Sequence, residues 1–308
     1  MNENKHKFYT NSVIVAIIAV FCCALWGSAT PFIKMGYELL NVSGVPSTML
    51  FAGMRFALAG VLTVIIFSIA RRKFICPKKR NLGKICIVSV FQTVLQYIFF
   101  YVGLSNTSGV KGTILSSASA FFALFVAGLL FKQEKITFKK ILACIIGFAG
   151  IIFVNLNGLE FTLNFTGDCF VLFSALASAA ASVILKSFSK NEDSVELTGY
   201  QFVIGGIVLI IIGMAFGGKV EVSGMAALGV LIYLAFLSAM AYSLWGILLT
   251  YNPVSKVTIY NFTIPVFGVL LSKLMLSESG NVSPLNLLIT LVLVCTGIIM
   301  LNYKKREN

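Results

Sequence analysis

Ten apolar runs, each about as long as a membrane crossing, follow one another along this chain with only short polar connectors between them. They cover residues 12–35, 46–70, 84–104, 110–131, 138–156, 167–187, 196–216, 225–249, 255–277 and 283–303. A helix needs ~20 apolar residues to cross the hydrocarbon core of a bilayer, and in lipid only helices and closed barrels satisfy their backbone hydrogen bonds. Barrel strands are about half as long, so the pattern predicts an all-α integral membrane protein of ten transmembrane helices. The composition agrees: 58% of residues are hydrophobic and 11% charged, against ~25% charged in soluble domains. The first run continues past Trp26 to Met35, too long for a cleaved signal segment, and reads as the first span.

The balance of 24 Lys and Arg against 11 Asp and Glu gives a formal charge of +13. The positions of these cations speak for membrane orientation rather than for a nucleic-acid partner. With a cytoplasmic N-terminus, Lys5, Lys7, the seven cations from Arg71 to Lys84, Lys132, Lys135, Lys139, Lys140, Lys186, Lys190, Lys256, Lys304, Lys305 and Arg306 fall inside. Only Lys34, Lys111, Lys219 and Lys273 lie near the outer side. This asymmetry places both termini in the cytoplasm of a cell, most simply a bacterial one. The Arg71–Lys84 loop reads as solvated, with a lipid-binding patch as the alternative. The expected partners are the lipid bilayer and a small-molecule solute, with the oligomeric state left open. The seven cysteines form no C-x-x-C pair and there is one histidine, His6, so no metal, cofactor or disulfide framework is expected.

The two halves of the chain match each other. Arg55 lies within FAGMRFALAGVL, and 146 residues later Gln201 takes its place in TGYQFVIGGIVL, with Phe202, Gly205 and Gly206 falling on Phe56, Ala59 and Gly60. VKGTI at Val110–Ile114 matches SKVTI at Ser255–Ile259, and GIIFVN at Gly150–Asn155 matches GIIMLN at Gly297–Asn302. Glu134 and Glu278 each follow the fourth span of their half. Five spans per half is an odd number, so the second half must be inverted in the membrane. That is a plan of many secondary transporters, whose solute sites lie near the midplane where the halves meet.

Trp26-Gly27-Ser28 with Lys34, Arg55-Phe56, Glu134, and the pair Pro265 and Glu278 together resemble the EamA-type transporters of the drug/metabolite transporter superfamily. The resemblance covers essentially the whole chain as two EamA-like repeats, 12–156 and 167–303. It implies a ten-helix secondary transporter that works by alternating access and often exports amino acids or other small metabolites. One departure is visible: the residue matching Pro265 in the first half is Phe121, which puts a helix bend there in question.

Arg55 is the only ionisable residue near the middle of a span, where it costs ~2.5–3.5 kcal/mol on insertion scales and faces a bundle interior or a water-filled cavity. It either meets an anionic group on the solute through its planar fork or bonds the carbonyls of a neighbouring helix. Trp26 lies mid-span with an indole N–H that needs a partner, whereas Trp245 falls near a span end, as an interfacial tryptophan does. Gln92, Gln96, Tyr97 and Tyr101 share the third span, the first three roughly on one face. Their partners are either a polar cavity or a neighbouring helix. Gln201, Tyr242, Tyr260 and Asn261 are the comparable polar groups of the second half. Lys34 and Lys186 sit at span ends and either snorkel to headgroups or serve as gate charges. Pro265 is a bend or packing residue. Ser116–Ala120, Ala175–Ser182 and the glycines at 27, 60, 205 and 206 read as close helix contacts.

No Asp or Glu falls at a span centre, which weakens a proton-coupled antiport, since a buried carboxylate is the usual relay. Nucleotide loops, paired carboxylates and a Ser/His/Asp set are missing too, so no enzyme is expected. The reading is a secondary transporter, an exporter or exchanger of a small metabolite such as an amino acid or amphipathic amine. A passive channel is the alternative, and a membrane-embedded lipid-modifying enzyme ranks behind it.

Overall fold

The protein was analysed as a computed structural model that describes residues 3–155, 164–276 and 284–302. Glu278 and the cations at 304–306 lie outside these residues, as does the side chain of Lys273. Every regular element among them is helical. A short helix α1 (Glu3–Thr10) precedes α2 (Ser12–Leu39), α3 (Gly44–Arg71), α4 (Lys79–Leu104), α5 (Gly109–Leu130) and α6 (Phe138–Val154). The second half runs through α7 (Phe165–Phe188), α8 (Ser194–Ala215), α9 (Gly224–Tyr251), α10 (254–276) and α11 (Pro284–Asn302). Side chains cap several starts: Asn11, Ser108, Thr137, Asn164 and Asp193 each accept a bond from a backbone N–H of the first turn, satisfying donors that the helix itself cannot.

Nine helices among the described residues are long and apolar enough to cross a membrane. The exception is α6, expected as the fifth span, which has 17 residues because the Thr137 cap sets its start and it ends at Val154. Exposed apolar side chains such as Ile17, Ile69, Leu129, Ile211, Leu288 and Ile299 form the outward surface that lipid covers. This is a multi-pass membrane protein.

The helices pack in a reciprocal pattern. α2 lies on α9 and α10, while α7 lies on α4 and α5; α3 lies on α9, while α8 lies on α4; α3 pairs with α8, and α6 with α11. Helices five apart in order thus exchange roles. The closest crossing is α3 on α8, and glycine makes it possible. A Cβ on Gly206 would lie 2.3 Å from the Ala57 backbone nitrogen, and one on Gly60 would lie 2.6 Å from the Gly199 carbonyl oxygen. Small residues of this kind let helix backbones approach in lipid, where no hydrophobic force draws helices together.

Three helices are interrupted. α4 contains a π-helical stretch, Val90–Leu95, whose wider i to i+5 turn changes which residues share a face. α10 begins as Val254–Thr258, tightens into a 3-10 turn at Ile259–Thr263 and resumes as Ile264–Leu276. Pro265 sits in the first turn of that last piece, where a missing N–H is tolerated. The first half also breaks, at Ala118 between Gly109–Ser117 and Ser119–Phe125, although Phe121 stands there in place of a proline. The cause is local: the Ser116 hydroxyl donates to the Gly112 carbonyl at 2.7 Å and Ser117 to Thr113 at 2.9 Å, back-bonding that bends helices.

At one end of the bundle, here termed the basic end, the Arg71–Lys84 connector is largely exposed, as a solvated loop is, and three acids anchor it. Arg71 pairs with Asp193, and Asn81 donates to Glu196 at 2.8 Å. Glu192, in the connector between α7 and α8, accepts bonds from Lys84 Nζ and Asn81 Nδ2 at 2.9 Å each. Those two bonds, with the nearby charges of Arg80 and Lys84, hold its carboxyl at about 2, below the ordinary 4.5. A carboxylate whose folded-state pKa is depressed stabilises the fold above its unfolded pKa, and this contribution is lost as pH falls through the folded value. Glu192→Gln is therefore expected to lower the melting temperature in detergent at pH 7, with the gap between variant and native protein closing below pH 4.5 towards about pH 2. Melting curves over that range check it; a gap that is constant with pH contradicts it.

Candidate solute-binding site

A ladder of aromatic rings crosses the middle of the bundle and joins five helices. Trp245 of α9 meets Trp26 of α2 edge-on at 4.9 Å, and Trp26 meets Tyr242 at 5.0 Å. Tyr242 meets Phe202 of α8 at 4.9 Å, Phe202 stacks on Phe56 of α3 at 5.1 Å, and Phe56 meets Tyr97 of α4 at 4.5 Å. Tyr97 leads on to Tyr101 at 5.8 Å. The Tyr97 and Tyr242 hydroxyls are 3.0 Å apart, so α4 and α9 are joined at this level by a hydrogen bond.

Arg55 lies against this ladder, 3% exposed. Its guanidinium carbon stands 4.4 Å from the Phe56 ring centroid and 5.9 Å from that of Tyr97. Ring faces attract a cation, but they do not replace hydrogen bonds. Arg55 Nε and Nη1 have no hydrogen-bond partner among the described residues, nor does Trp26 Nε1 or Gln96 Oε1. The carbonyl-bonding reading of Arg55 thus finds no support for either of these two nitrogens. Arginine stays charged in proteins, and among the described residues no acid stands beside this buried charge. The acids near the middle of the sequence are engaged at the ends of the bundle: Asp168 with Lys111 at 2.7 Å, Glu192 with Lys84, Glu134 with Lys140.

The structure brings Arg55, Trp26, Gln96, Tyr97, Tyr101 and Tyr242 together, with the Gln96 amide beside the Tyr242 hydroxyl. Other expected residues lie elsewhere. Gln201 is fully buried between α4 and α8, where its Oε1 accepts the Thr93 hydroxyl at 2.7 Å. Gln92 is buried in the π-helical stretch beside Thr93. Tyr260 is 3% exposed in the main hydrophobic cluster, its carbonyl accepting the Cys23 thiol at 3.2 Å. Asn261 follows it on the 3-10 turn, with Oδ1 buried and without a partner. Lys34 is exposed at the far end of α2, on one helical face with Trp26 and the exposed Thr30.

Two expectations change. Trp245 is 3% exposed and packs on Trp26, so it belongs to the ladder and not to an interfacial belt. Lys186 does not snorkel: its ammonium donates to the carbonyls of Leu249, at 3.0 Å, and Asn252, closing the C-terminal end of α9. There it belongs to a cluster at the basic end. Glu134 accepts the Ser255 backbone N–H at 3.0 Å, the Ser255 hydroxyl and Lys140 Nζ at 2.5 Å, and Gln133 donates to the Val183 carbonyl at 3.1 Å. These bonds tie the end of α5 to the starts of α6 and α10 and to α7. The matching of VKGTI with SKVTI drew attention to this region without showing that Glu134 and Ser255 meet. Phe56, Phe202 and Trp245 were also missed as site neighbours, because apolar rings in apolar runs carry no signal of their own. A surface hollow of about 640 Å³ lined by Gly128, Lys132, Gln133, Glu134 and Ile136 lies on this basic end, away from Arg55.

A helical membrane bundle with a buried polar cluster at mid-depth, tied at both ends by bonds between its two halves, is that of a multi-pass membrane protein. The particular family follows from sequence: residues 12–156 and 165–303 each match the EamA-like transporter family, and the chain belongs to it. An uncharacterized transporter of Archaeoglobus fulgidus is 25% identical over 268 residues, 85% of this chain and 90% of that protein. The uncharacterized transporter YvbV of Bacillus subtilis is 26% identical over 300 residues, 94% and 92% of the two chains. The WAT1-related protein At3g02690, chloroplastic, of Arabidopsis thaliana is 24% identical over 82% of this chain and 62% of its own. A crystal structure 16% identical in sequence superposes with a TM-score of 0.75 over 93% of this chain and 97% of the other, which shows a shared fold.

Proposed function

We propose that the protein is a secondary transporter that exports or exchanges a small metabolite, such as an amino acid, across a cell membrane by alternating access. In this reading it has ten spans in two inverted five-helix repeats, 12–156 and 167–303, with both termini cytoplasmic. The observation that carries it is the buried polar and aromatic cluster around Arg55 and Trp26, where helices of both halves meet and donors are left unpartnered among the described residues. Bonds between the halves tie both ends, at Glu134 with Ser255 and at Asp168 with Lys111, and these are the contacts that alternating access would break in turn. The reciprocal packing of helices five apart supports the inverted repeat. α6 counts as the tenth span because 17 residues is at the short limit for a crossing. The cations of the basic end support a cytoplasmic assignment for it.

Counterflow tests the carrier against a channel. Proteoliposomes are preloaded with unlabelled phenylalanine or 3-phenylpropanoate and diluted into the same labelled compound. A carrier gives a transient accumulation of label above equilibrium for at least one of them. Uptake that rises to equilibrium without an overshoot would favour the passive channel.

A further inference from the structure

We infer that the Arg55 site takes a small organic carboxylate with an apolar, preferably aromatic, body, and that it discriminates against amines. This deepens the transporter reading of the same site and rests on it. Arg55 presents two unpartnered donors, Nε and Nη1, on a group that is 3% exposed. Those two nitrogens lie on different edges of the planar guanidinium, each edge shared with Nη2, so a carboxylate docked on either edge meets one unpartnered donor beside Nη2. Trp26 Nε1 is a third unpartnered donor on the same aromatic ladder. Nearby stand the Tyr97 and Tyr242 hydroxyls, bonded to each other at 3.0 Å, and the Gln96 amide.

Charge then orders the candidate solutes. A buried cation with no acid beside it gains most from a ligand of net charge −1, which makes the loaded site neutral. A zwitterion leaves the site with its original net charge. An amine adds a second positive charge where, among the described residues, no carboxylate stands to receive it. The Phe56, Phe202, Tyr97 and Trp26 rings supply apolar and stacking surface for the rest of the ligand. A doubly charged anion would be left with one uncompensated charge, which sets the upper limit on ligand charge.

The test uses the purified full-length protein in detergent and four probes of one shape: 3-phenylpropanoate, its amide, 3-phenylpropylamine and phenylalanine. Tryptophan fluorescence, which reports from Trp26 and Trp245, and thermal shift follow binding. The acid is expected to bind at least tenfold more tightly than its amide, phenylalanine more weakly than the acid, and the amine not at all. Arg55→Gln should abolish the preference for acid over amide, and Arg55→Lys, which keeps the charge and loses the fork, should weaken it. If Arg55→Gln does not fold, the acid-to-amide ratio in native protein and in Arg55→Lys still decides. Equal binding of acid and amine, undiminished acid binding in Arg55→Gln, or no acid binding at millimolar concentration overturns the inference. Counterflow separates it from the carrier reading: acid binding without counterflow would keep the anion site and retire the carrier, and counterflow of the amine would keep the carrier and retire the anion site.

Discussion

Replacing Gly206 by leucine is expected to leave no folded protein, and replacing it by alanine to lower the melting temperature sharply. The Gly206 Cα faces α3 at the closest helix crossing, and an added Cβ would stand 2.3 Å from the Ala57 nitrogen and 2.8 Å from the Gly53 carbonyl oxygen. Both are backbone atoms, so no side chain can rotate away and α3 and α8 must move apart. Gly53 and Gly60 face α8 in the same way, at 2.6 Å from the Ile210 and Val203 nitrogens, so separating the helices loosens the whole crossing. Overpacking a side chain into a core costs ~1–3 kcal/mol, and a clash with backbone lies at or above the top of that range. Arg55, Phe56, Gln201 and Phe202 are carried by these two helices, so the site would be disrupted as well. Gly229→Ala in α9 is the control, since a Cβ there meets nothing within 4 Å; its melting temperature should be unchanged. Fluorescence-detected size exclusion and thermal melts check both, and an unaltered Gly206→Ala melt would mean that α3 and α8 are not packed as described.

Glu134→Gln is expected to open the basic end. Its carboxylate receives the Ser255 N–H, the Ser255 hydroxyl and Lys140, and is 6% exposed as a side chain. Bonds to a charged acceptor contribute ~1.5–3 kcal/mol each. Glutamine keeps one acceptor oxygen but loses the charge that binds Lys140. It also leaves Lys186, which feels the Glu134 charge, with less compensation. A loss of ~1.4 kcal/mol already raises the open population tenfold. Cys144 of α6 is 2% exposed and close to Glu134 and Lys140, which makes it a native reporter. With Cys76, Cys86, Cys169 and Cys295 replaced by serine, maleimide should label Cys144 at least tenfold faster in the variant than in the parent. Equal labelling rates would show that the Glu134 cluster does not hold this end closed.

The membrane class was legible at once, because apolar runs of membrane-crossing length leave a chain few other ways to satisfy its backbone. The glycines at 60, 205 and 206 were read as contact points, and the crossings of α8 with α3 and α4 use them so: a Cβ on Gly205 would meet Thr93 at 2.6 Å. Arg55 and Trp26 were legible because each violates the pattern of its run. Side-chain partnership was not. Gln201 and Arg55 correspond in sequence, yet the Gln201 Oε1 finds the Thr93 hydroxyl, while its Nε2 and two Arg55 nitrogens find no partner among the described residues, an outcome set by what the facing helices present. Lys186 stayed between headgroup snorkelling and a gate charge because span-end position says nothing about the carbonyls of α9 it meets. The break at Ala118 was missed for a related reason: proline advertises a bend, whereas hydroxyl back-bonding by Ser116 and Ser117 looks in sequence like any small-residue stretch.

Alternating access is tested most directly by paired distances at the two ends of the bundle, with the Glu134→Gln variant as the perturbation, so that no ligand is needed. Spin labels at Lys7 and Lys135 span the basic end, and labels at Ser105 and Leu274 the opposite end, all four positions being exposed. In the background lacking Cys76, Cys86, Cys169 and Cys295 and with Cys144 also replaced by serine, double electron–electron resonance should give a longer Lys7–Lys135 distance in the variant and a shorter Ser105–Leu274 distance. Opening at both ends together, or a basic end that widens while the other stays still, would contradict a carrier in which the two gates exclude each other.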